Sequence, residues 1–401
     1  KLALSAFAGT ATDQSVTDGV WPEVLFWEGE ISRKALQMGR ARLAYERLLT
    51  TYSSSSWRAQ AQLGLGLVLF HQQDYDRARQ QVHEILAASP TALLAREAML
   101  VEALCDVKLR RFTEAQSRFQ ELLGQPLDPD LRVQVTFYLG EALTGLSRFE
   151  EAARTYRQVI QEDPESLWGR LARFGLGWSE FQQQRCHESL QAFRDYASAM
   201  SDLRHPALVQ DTQDVRAELW FAQGRCLMEI GEPEQAAARF ERLRREVPQH
   251  PLTIDAAMGI ADVLERQDRV GQATVLLESM LPATLTTMQR HHVHVKLGSL
   301  YLNAGEATKA AAQFDMVKEA AEPELKQAAL NGLADAAAFL GHDDTAMQWY
   351  EAAIQVAPTS PAGLYAAYQM GRLELHAGRL QDAVQRFEWL THQADPALAV
   401  D

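Results

Sequence analysis

The residues of this sequence best suited to chemistry are its histidines. In His291-His292-Val293-His294, His291 and His294 stand one helical turn apart, a spacing at which two imidazoles can hold one metal. No acid or cysteine accompanies them, and they open a helical stretch where exposure is expected, so a solvated face is the favoured reading over a metal site. Two glycine pairs, Gly64-Leu65-Gly66 and Gly175-Leu176-Gly177, suit a phosphate only where a strand leads into them. Both lie inside helical patterns and read as packing glycines. No serine or cysteine nucleophile has an identifiable histidine partner. Cys105, Cys186 and Cys226 are far apart, without CxxC or Cys/His ligand spacing, and read as buried structural thiols. The acid pairs Glu150-Glu151 and Asp343-Asp344 favour helix N-termini electrostatically and need no catalytic role. No cofactor, metal or catalytic residue is therefore expected.

Composition narrows the rest. With 401 residues, 47% hydrophobic, and only 3 Cys, the chain is too apolar for disorder and too poor in cysteine for a disulfide framework. Its net charge of −14, from 53 acids against 39 bases, repels nucleic acid. No apolar run of about 18 residues is present, so no transmembrane segment is expected. The sequence opens at Lys1, which suggests processing or a segment cut from something longer.

The elements that position these residues follow a period of 37. From Ala41 the series runs through Ala78, Ala115, Ala152 and Ser189, then, after a jump of 47, through Ala236, Ala273, Ala310, Ala346 and Ala383, with one step of 36. Four residues after each stand Tyr45, Val82, Phe119, Tyr156, Phe193, Phe240, Leu277, Phe314, Tyr350 and Phe387. Eight of those ten are aromatic, where an aromatic content of 8% predicts about one. Twelve residues before each stand Gly29, Gly66, Ala103, Gly140, Gly177, Gly224, Ala261, Gly298, Ala334 and Gly371, all Gly or Ala. Chance does not produce three such registers.

Apolar residues recur at helical spacing around these anchors. Leu139, Leu143 and Leu146 line one segment, and Ala152, Tyr156, Val159 and Ile160 the next. A short break, Ser147 to Glu150, separates them, and proline follows the second segment at Pro90, Pro164, Pro248 and Pro358. Each unit is thus helix, tight turn, helix, Pro-containing turn. Two short helices cannot bury their apolar faces alone, so the units must stack. Small residues let the paired helices approach, and the ring one turn later fills the gap toward the next unit.

This pattern resembles the tetratricopeptide repeat, W-x2-L-G-x2-Y, A-x3-F, P. The best matches are Leu297-Gly298 with Tyr301, Ala310 and Phe314; Trp220 with Gly224, Ala236, Phe240 and Pro248; and Gly140 with Ala152, Tyr156 and Pro164. The resemblance covers about residues 21–396. A HEAT-type array has a similar period, but the Gly and A-x3-F registers argue against it. The family implies an all-α fold, a right-handed superhelical solenoid of about ten antiparallel helix-pair repeats. Departures are the period of 37 rather than 34, placed in longer turns between units, and Ser189 in the fifth unit, which lacks a closing proline. Strings such as Leu48-Leu49-Thr50-Thr51-Tyr52-Ser53 resemble the subclass common in bacterial envelope proteins. That resemblance implies a periplasmic or envelope-associated place, with the cytoplasm as the alternative and membrane association through a complex or a missing segment.

The expected organisation is an N-terminal segment over 1–20, repeats one to five over 21–200, an insertion over 201–214 and repeats six to ten over 215–401. Residues 1–9 suit the second helix of a preceding unit, and nothing caps the chain after Pro396, so a segment of a larger protein is expected. The insertion, with His205-Pro206, reads as a surface loop or an extended helix end.

In this family the first helices line a concave groove. With the Gly/Ala register as position eight, positions two, five, nine and twelve form its helical stripe. The fifth unit contributes Leu171, Phe174, Trp178 and Phe181; the sixth Glu218, Phe221, Arg225 and Met228; the fourth Gln134, Phe137, Glu141 and Thr144; the second Gln60, Leu63, Leu67 and Phe70. Phe137, Phe174, Trp178, Phe181 and Phe221, with Arg225 and Met228, are the candidate partner-binding set, suited to an apolar peptide or helix. Burial of these rings against neighbouring first helices stays equally open. Further on the groove turns acidic at Asp255, Asp262, Glu265 and Asp335, suited to a basic or mixed segment. The family's carboxylate clamp needs Lys, Asn and Arg at set positions that are apolar or acidic here, so it is not carried over. The resemblance implies a non-catalytic scaffold for a protein or peptide partner; the alternative is a module of a bacterial polysaccharide export or outer-membrane assembly complex.

Overall fold

A computed structural model describes residues 21–88, 91–200, 212–282 and 285–393. Among these residues there are twenty α-helices and no strand. The first helices of the pairs are α1 (Trp21–Lys34), α3 (Arg58–His71), α5 (Ala92–Lys108), α7 (Pro129–Gly145), α9 (Leu167–Gln182), α11 (Thr212–Glu229), α13 (Leu252–Arg266), α15 (Thr287–Asn303), α17 (Pro323–Phe339) and α19 (Pro361–His376). The second helices are α2 (Met38–Thr51), α4 (Tyr75–Ala87), α6 (Phe112–Leu123), α8 (Phe149–Glu162), α10 (Cys186–Met200), α12 (Pro233–Glu246), α14 (Val270–Glu278), α16 (Ala307–Asp315), α18 (Asp343–Val356) and α20 (Leu380–Gln393). The pairs fall into two compact units, Lys1–His205 and Pro206–Asp401. The expected N-terminal segment and most of the insertion lie outside the described residues, but Thr212–Asp214 already belong to α11. Leu48–Thr51 are helical rather than part of a turn, and Phe149 and Glu150 open α8.

Local signals set the ends of these helices. Asp128, Ser166 and Ser360 accept the N3 amides of α7, α9 and α19, and Thr286 with Gln289 forms a capping box on α15. Just past the end of every first helix, seven residues after its Gly/Ala anchor, stands a residue with positive φ, six of them not glycine: Leu36, Gln73, Arg110, Ser147, Gln184 and Asp268. The left-handed residue lets the chain close two bonds back onto the helix end, as in Ser147 N–H to Thr144 and Arg148 N–H to Leu143, both 2.9 Å.

The packing explains the three registers. Each glycine at position eight faces the anchor side chain of its own second helix, a ring in every such unit but the second, where Gly66 meets Val82: a Cβ on Gly140 would lie 2.6 Å from Tyr156, and one on Gly224 2.4 Å from Phe240. The ring's other side meets a glycine two residues before the next unit's anchor, Gly175 against Tyr156 and Gly259 against Phe240. The pairs Gly64/Gly66 and Gly175/Gly177 are therefore packing glycines, the first of each against the preceding ring, Tyr45 or Tyr156, and the second against its own unit's Val82 or Phe193. In the third unit the residue two before the next anchor is Tyr138 rather than glycine, and Phe119 stacks on it, with centroids 6.1 Å apart. Ala152, Ala236 and Ala310 are fully buried, as are Tyr156 and Phe240, while Gly298 holds Phe314. Ser189 fits the alanine register because its hydroxyl donates to the Gly177 carbonyl at 2.8 Å. Within each unit successive first helices touch one another, whereas successive second helices do not. The first helices thus form the inner layer.

Candidate functional site

The inner face is built from the first-helix stripe, and the second unit shows it best. Position nine of α17 is Asp335, position two of α19 is Tyr365, and position nine of α19 is Arg372. With Leu302 and Asn303 of α15, Ala338 and Phe339 of α17, and Gln369, Leu373 and His376 of α19, they line a cavity of about 350 Å³. Its rim carries exposed rings, Phe339 at 63% and Tyr365 at 40%, with Tyr368 at 49% on the same helix. In the first unit a cavity of about 420 Å³ opens at the N-terminal ends of α5 and α7, lined by Leu93, Leu100, Leu131 and Trp168 beside Glu97, Arg96, Asp128 and Gln134.

The position-nine acids have a job that sequence reasoning missed. Tyr45 donates to Glu30 at 2.6 Å, Tyr156 to Glu141 at 2.6 Å, and Tyr350 to Asp335. Each tyrosine lies fifteen residues after its acid, and these are the three units whose ring is tyrosine. A buried phenol needs an acceptor, and a carboxylate on the facing helix supplies it. The signal was available: at the same spacing the phenylalanine units carry Leu104, Trp178, Arg225, Ser299 and Arg372, none of them acidic. Burial and the adjacent carboxylate hold the Tyr156 and Tyr350 hydroxyls far above the usual phenol range. Burial, with Asp335 beside it, pushes Tyr365 up to about 12. Burial likewise raises the Asp335 carboxyl, against the lowering pull of two hydrogen bonds from Tyr350 and Tyr365, the latter at 3.0 Å.

The acidic run is otherwise compensated only in part. Lys296 of α15 lies 2.6 Å from both Asp262 and Glu265, and Asn303 also donates to Glu265. Asp255 is exposed.

The aromatic set divides between the two units. Phe137 is only 8% exposed and packs against Tyr138, Tyr156 and Trp168 with centroids 5.3, 5.9 and 5.3 Å away, so its ring is taken up by the core rather than offered to a ligand. Phe174, half-buried, leans on Phe193 and Tyr196 of α10. Trp178 and Phe181 pair at 5.5 Å and keep part of their surface. On α11, Phe221 covers Phe240 at 6.1 Å, Met228 is half-buried and Arg225 is exposed.

The tetratricopeptide repeat family model matches residues 24–92, 100–166, 214–281 and 295–361, well over half of the chain. The chain belongs to the tetratricopeptide repeat family. No curated protein matches the sequence. Among solved structures, this repeat chain is similar to the apo form of RapI, with a TM-score of 0.58 at 11% identity over 84% of this chain and 97% of that one. It is also similar to the apo form of the quorum sensor NprR from B. thuringiensis, with a TM-score of 0.56 at 12% identity over 83% and 98%. These likenesses concern the fold.

Other repeat residues that looked chemical are structural. His294 is buried and its Nδ1 lies 2.8 Å from Gln313 Oε1, which corrects the solvated face expected for it; His292 is exposed. Among the described residues no three His, Cys, Asp or Glu are grouped to hold a metal, and no helix is long and apolar enough to cross a membrane. Cys105 is a buried free thiol whose pKa is pushed up to about 12, first by burial and then by Asp106. Charged residues unnoticed in the sequence are buried instead: Glu102 and Asp106 of α5 share Arg118, at 2.8 Å each, and Glu374 of α19 takes both arms of Arg386.

Proposed function

We propose that this protein is a non-catalytic interaction scaffold whose inner, first-helix face receives an extended segment of a partner protein. One observation carries the reading. Stripe positions from three successive first helices, α15, α17 and α19, line a single open cavity rimmed by exposed rings. Exposed aromatics beside a few fixed polar groups are what a peptide groove needs. In the first unit, Trp178 and Phe181 keep accessible surface on the same stripe and form part of the proposal.

The test is affinity capture with the full chain, compared with Trp178→Ala and Phe339→Ala variants. Each should weaken the captured partner, by about 2 kcal/mol or more where the ring is a hot spot. Lowered thermal stability with unchanged affinity would return that ring to the core. Turnover of any substrate by the purified chain would overturn the non-catalytic assignment. We also propose the bacterial envelope as its compartment, on the resemblance of the sequence string at residues 48–53 to envelope-type repeats, although its first four residues are helical; a purely cytoplasmic pool on fractionation refutes this.

A further inference from the structure

Asp335 differs from the other inner-face acids whose ion pairs are known. Glu30, at the same repeat position, pairs with Arg33 at 2.7 Å, and Asp262 with Lys296. Asp335 has no lysine, arginine or histidine within ion-pair distance among the described residues, although it lines the cavity of the second unit. Its Oδ1 receives both tyrosine hydroxyls, from Tyr350 and Tyr365. These two bonds fix the carboxyl plane and leave Oδ2 without a partner among the described residues. The cavity therefore presents one half-buried, oriented oxygen beside the exposed rings of Phe339 and Tyr365.

We infer that this cavity is a subsite for a single lysine side chain of the bound segment. The inference rests on the scaffold reading above and adds the chemistry of the ligand. The complementary charge is cationic, because the carboxylate lacks a counter-ion and lies in surroundings that penalise an isolated charge. The geometry selects ammonium over guanidinium. A guanidinium matches a carboxylate through two parallel bonds, and one of the two oxygens is already filled. An ammonium is a point charge and needs only the other. The rings of Phe339 and Tyr365 suit the methylene stem, and the face of an aromatic ring attracts the cationic head. Arg372 is held at 3.0 Å by Gln369 and lies over Tyr368 at 5.9 Å, which places a donor on the same cavity for a carbonyl of the segment.

The experiment is selection from a phage-displayed random dodecapeptide library on the immobilised full chain, in parallel on Asp335→Asn, which keeps an acceptor for both hydroxyls. Peptides enriched on wild type should share one lysine. Their synthetic versions should bind at least tenfold more weakly to Asp335→Asn, and equally weakly to wild type when that lysine is acetylated or replaced by arginine. Circular dichroism melting of the variant keeps folding separate from binding. Enriched peptides with no lysine preference, or with unchanged affinity for a folded Asp335→Asn chain, overturn the subsite and leave the scaffold standing. A wild-type chain that enriches no peptide overturns both.

Discussion

Replacing Gly224 by alanine tests the contact that sets the spacing of the helix pairs. The new Cβ would lie 2.4 Å from Phe240 Cε1 and 2.7 Å from two more ring atoms. The ring cannot retreat: it is fully buried, and Gly259 of α13 leaves no slack on its far side, where a Cβ would come within 2.5 Å of Cε2. Alanine favours a helix interior over glycine by about 1 kcal/mol. Overpacking a close-packed core costs about 1–3 kcal/mol. The net expectation is a loss of up to about 2 kcal/mol, which for a unit of this size lowers Tm by up to roughly 8 °C. Gly271→Ala is the control, since nothing lies within 4 Å of its Cβ position in α14, and it should leave Tm unchanged or raise it. Scanning calorimetry of the three chains decides. If Gly224→Ala melts at or above the Gly271→Ala chain, the ring does not set the distance between helices and the account of the three registers fails.

Further predictions concern turns and charges. Leu36→Gly should stabilise the chain by up to about 1 kcal/mol in urea unfolding, because a 74%-exposed leucine held at φ 58° gives up strain and no packing. Arg118→Met should cost about 3–5 kcal/mol, since it strips a cation from the buried Glu102 and Asp106; Arg148→Met, at an exposed pair with Glu151, should leave Tm unchanged. Burial pushes the Glu30 carboxyl up, but hydrogen bonds from Arg33 and Tyr45 outweigh it and leave the group below its usual 4.5. The unfolded chain then binds more protons in that window, so the contribution is complete above pH 4.5 and is lost as pH falls through the folded value. Glu30→Gln should flatten that part of the stability–pH curve.

The small-residue and ring registers are legible in the sequence because each position is filled by steric need, and steric need repeats with the repeat. Position fifteen is equally regular in space yet hidden, since Leu36, Gln73, Arg110, Ser147, Gln184 and Asp268 meet the left-handed requirement with five different residue types. Buried acids were hidden for another reason. Glu102, Asp106 and Glu374 look like solvated faces until the arginine on the next helix is placed against them. The candidate surface was half legible: helical spacing finds the stripe but not which rings are covered. Phe137 and Tyr368 share position five, and only packing shows that the first is enclosed by Tyr138 and Trp168 while the second stands 49% exposed.

Charge on the inner face of the second unit follows from these pairings rather than from the count of acids. Asp255, Asp262, Glu265 and Asp335 would together steer any basic segment from a distance if all four were free. Two of them share Lys296, which leaves that cluster one charge short of neutral. Asp335 is tied by hydroxyls, which orient its charge without cancelling it. Tyr350 cannot be buried without an acceptor, so the demand of the core places a carboxylate on the inner face, where among the described residues no cation lies within ion-pair distance of it. On the lysine-subsite proposal, selectivity on this face rests mainly on one oriented oxygen at short range. Salt should accordingly slow association with a basic peptide less than an uncompensated four-acid groove would require.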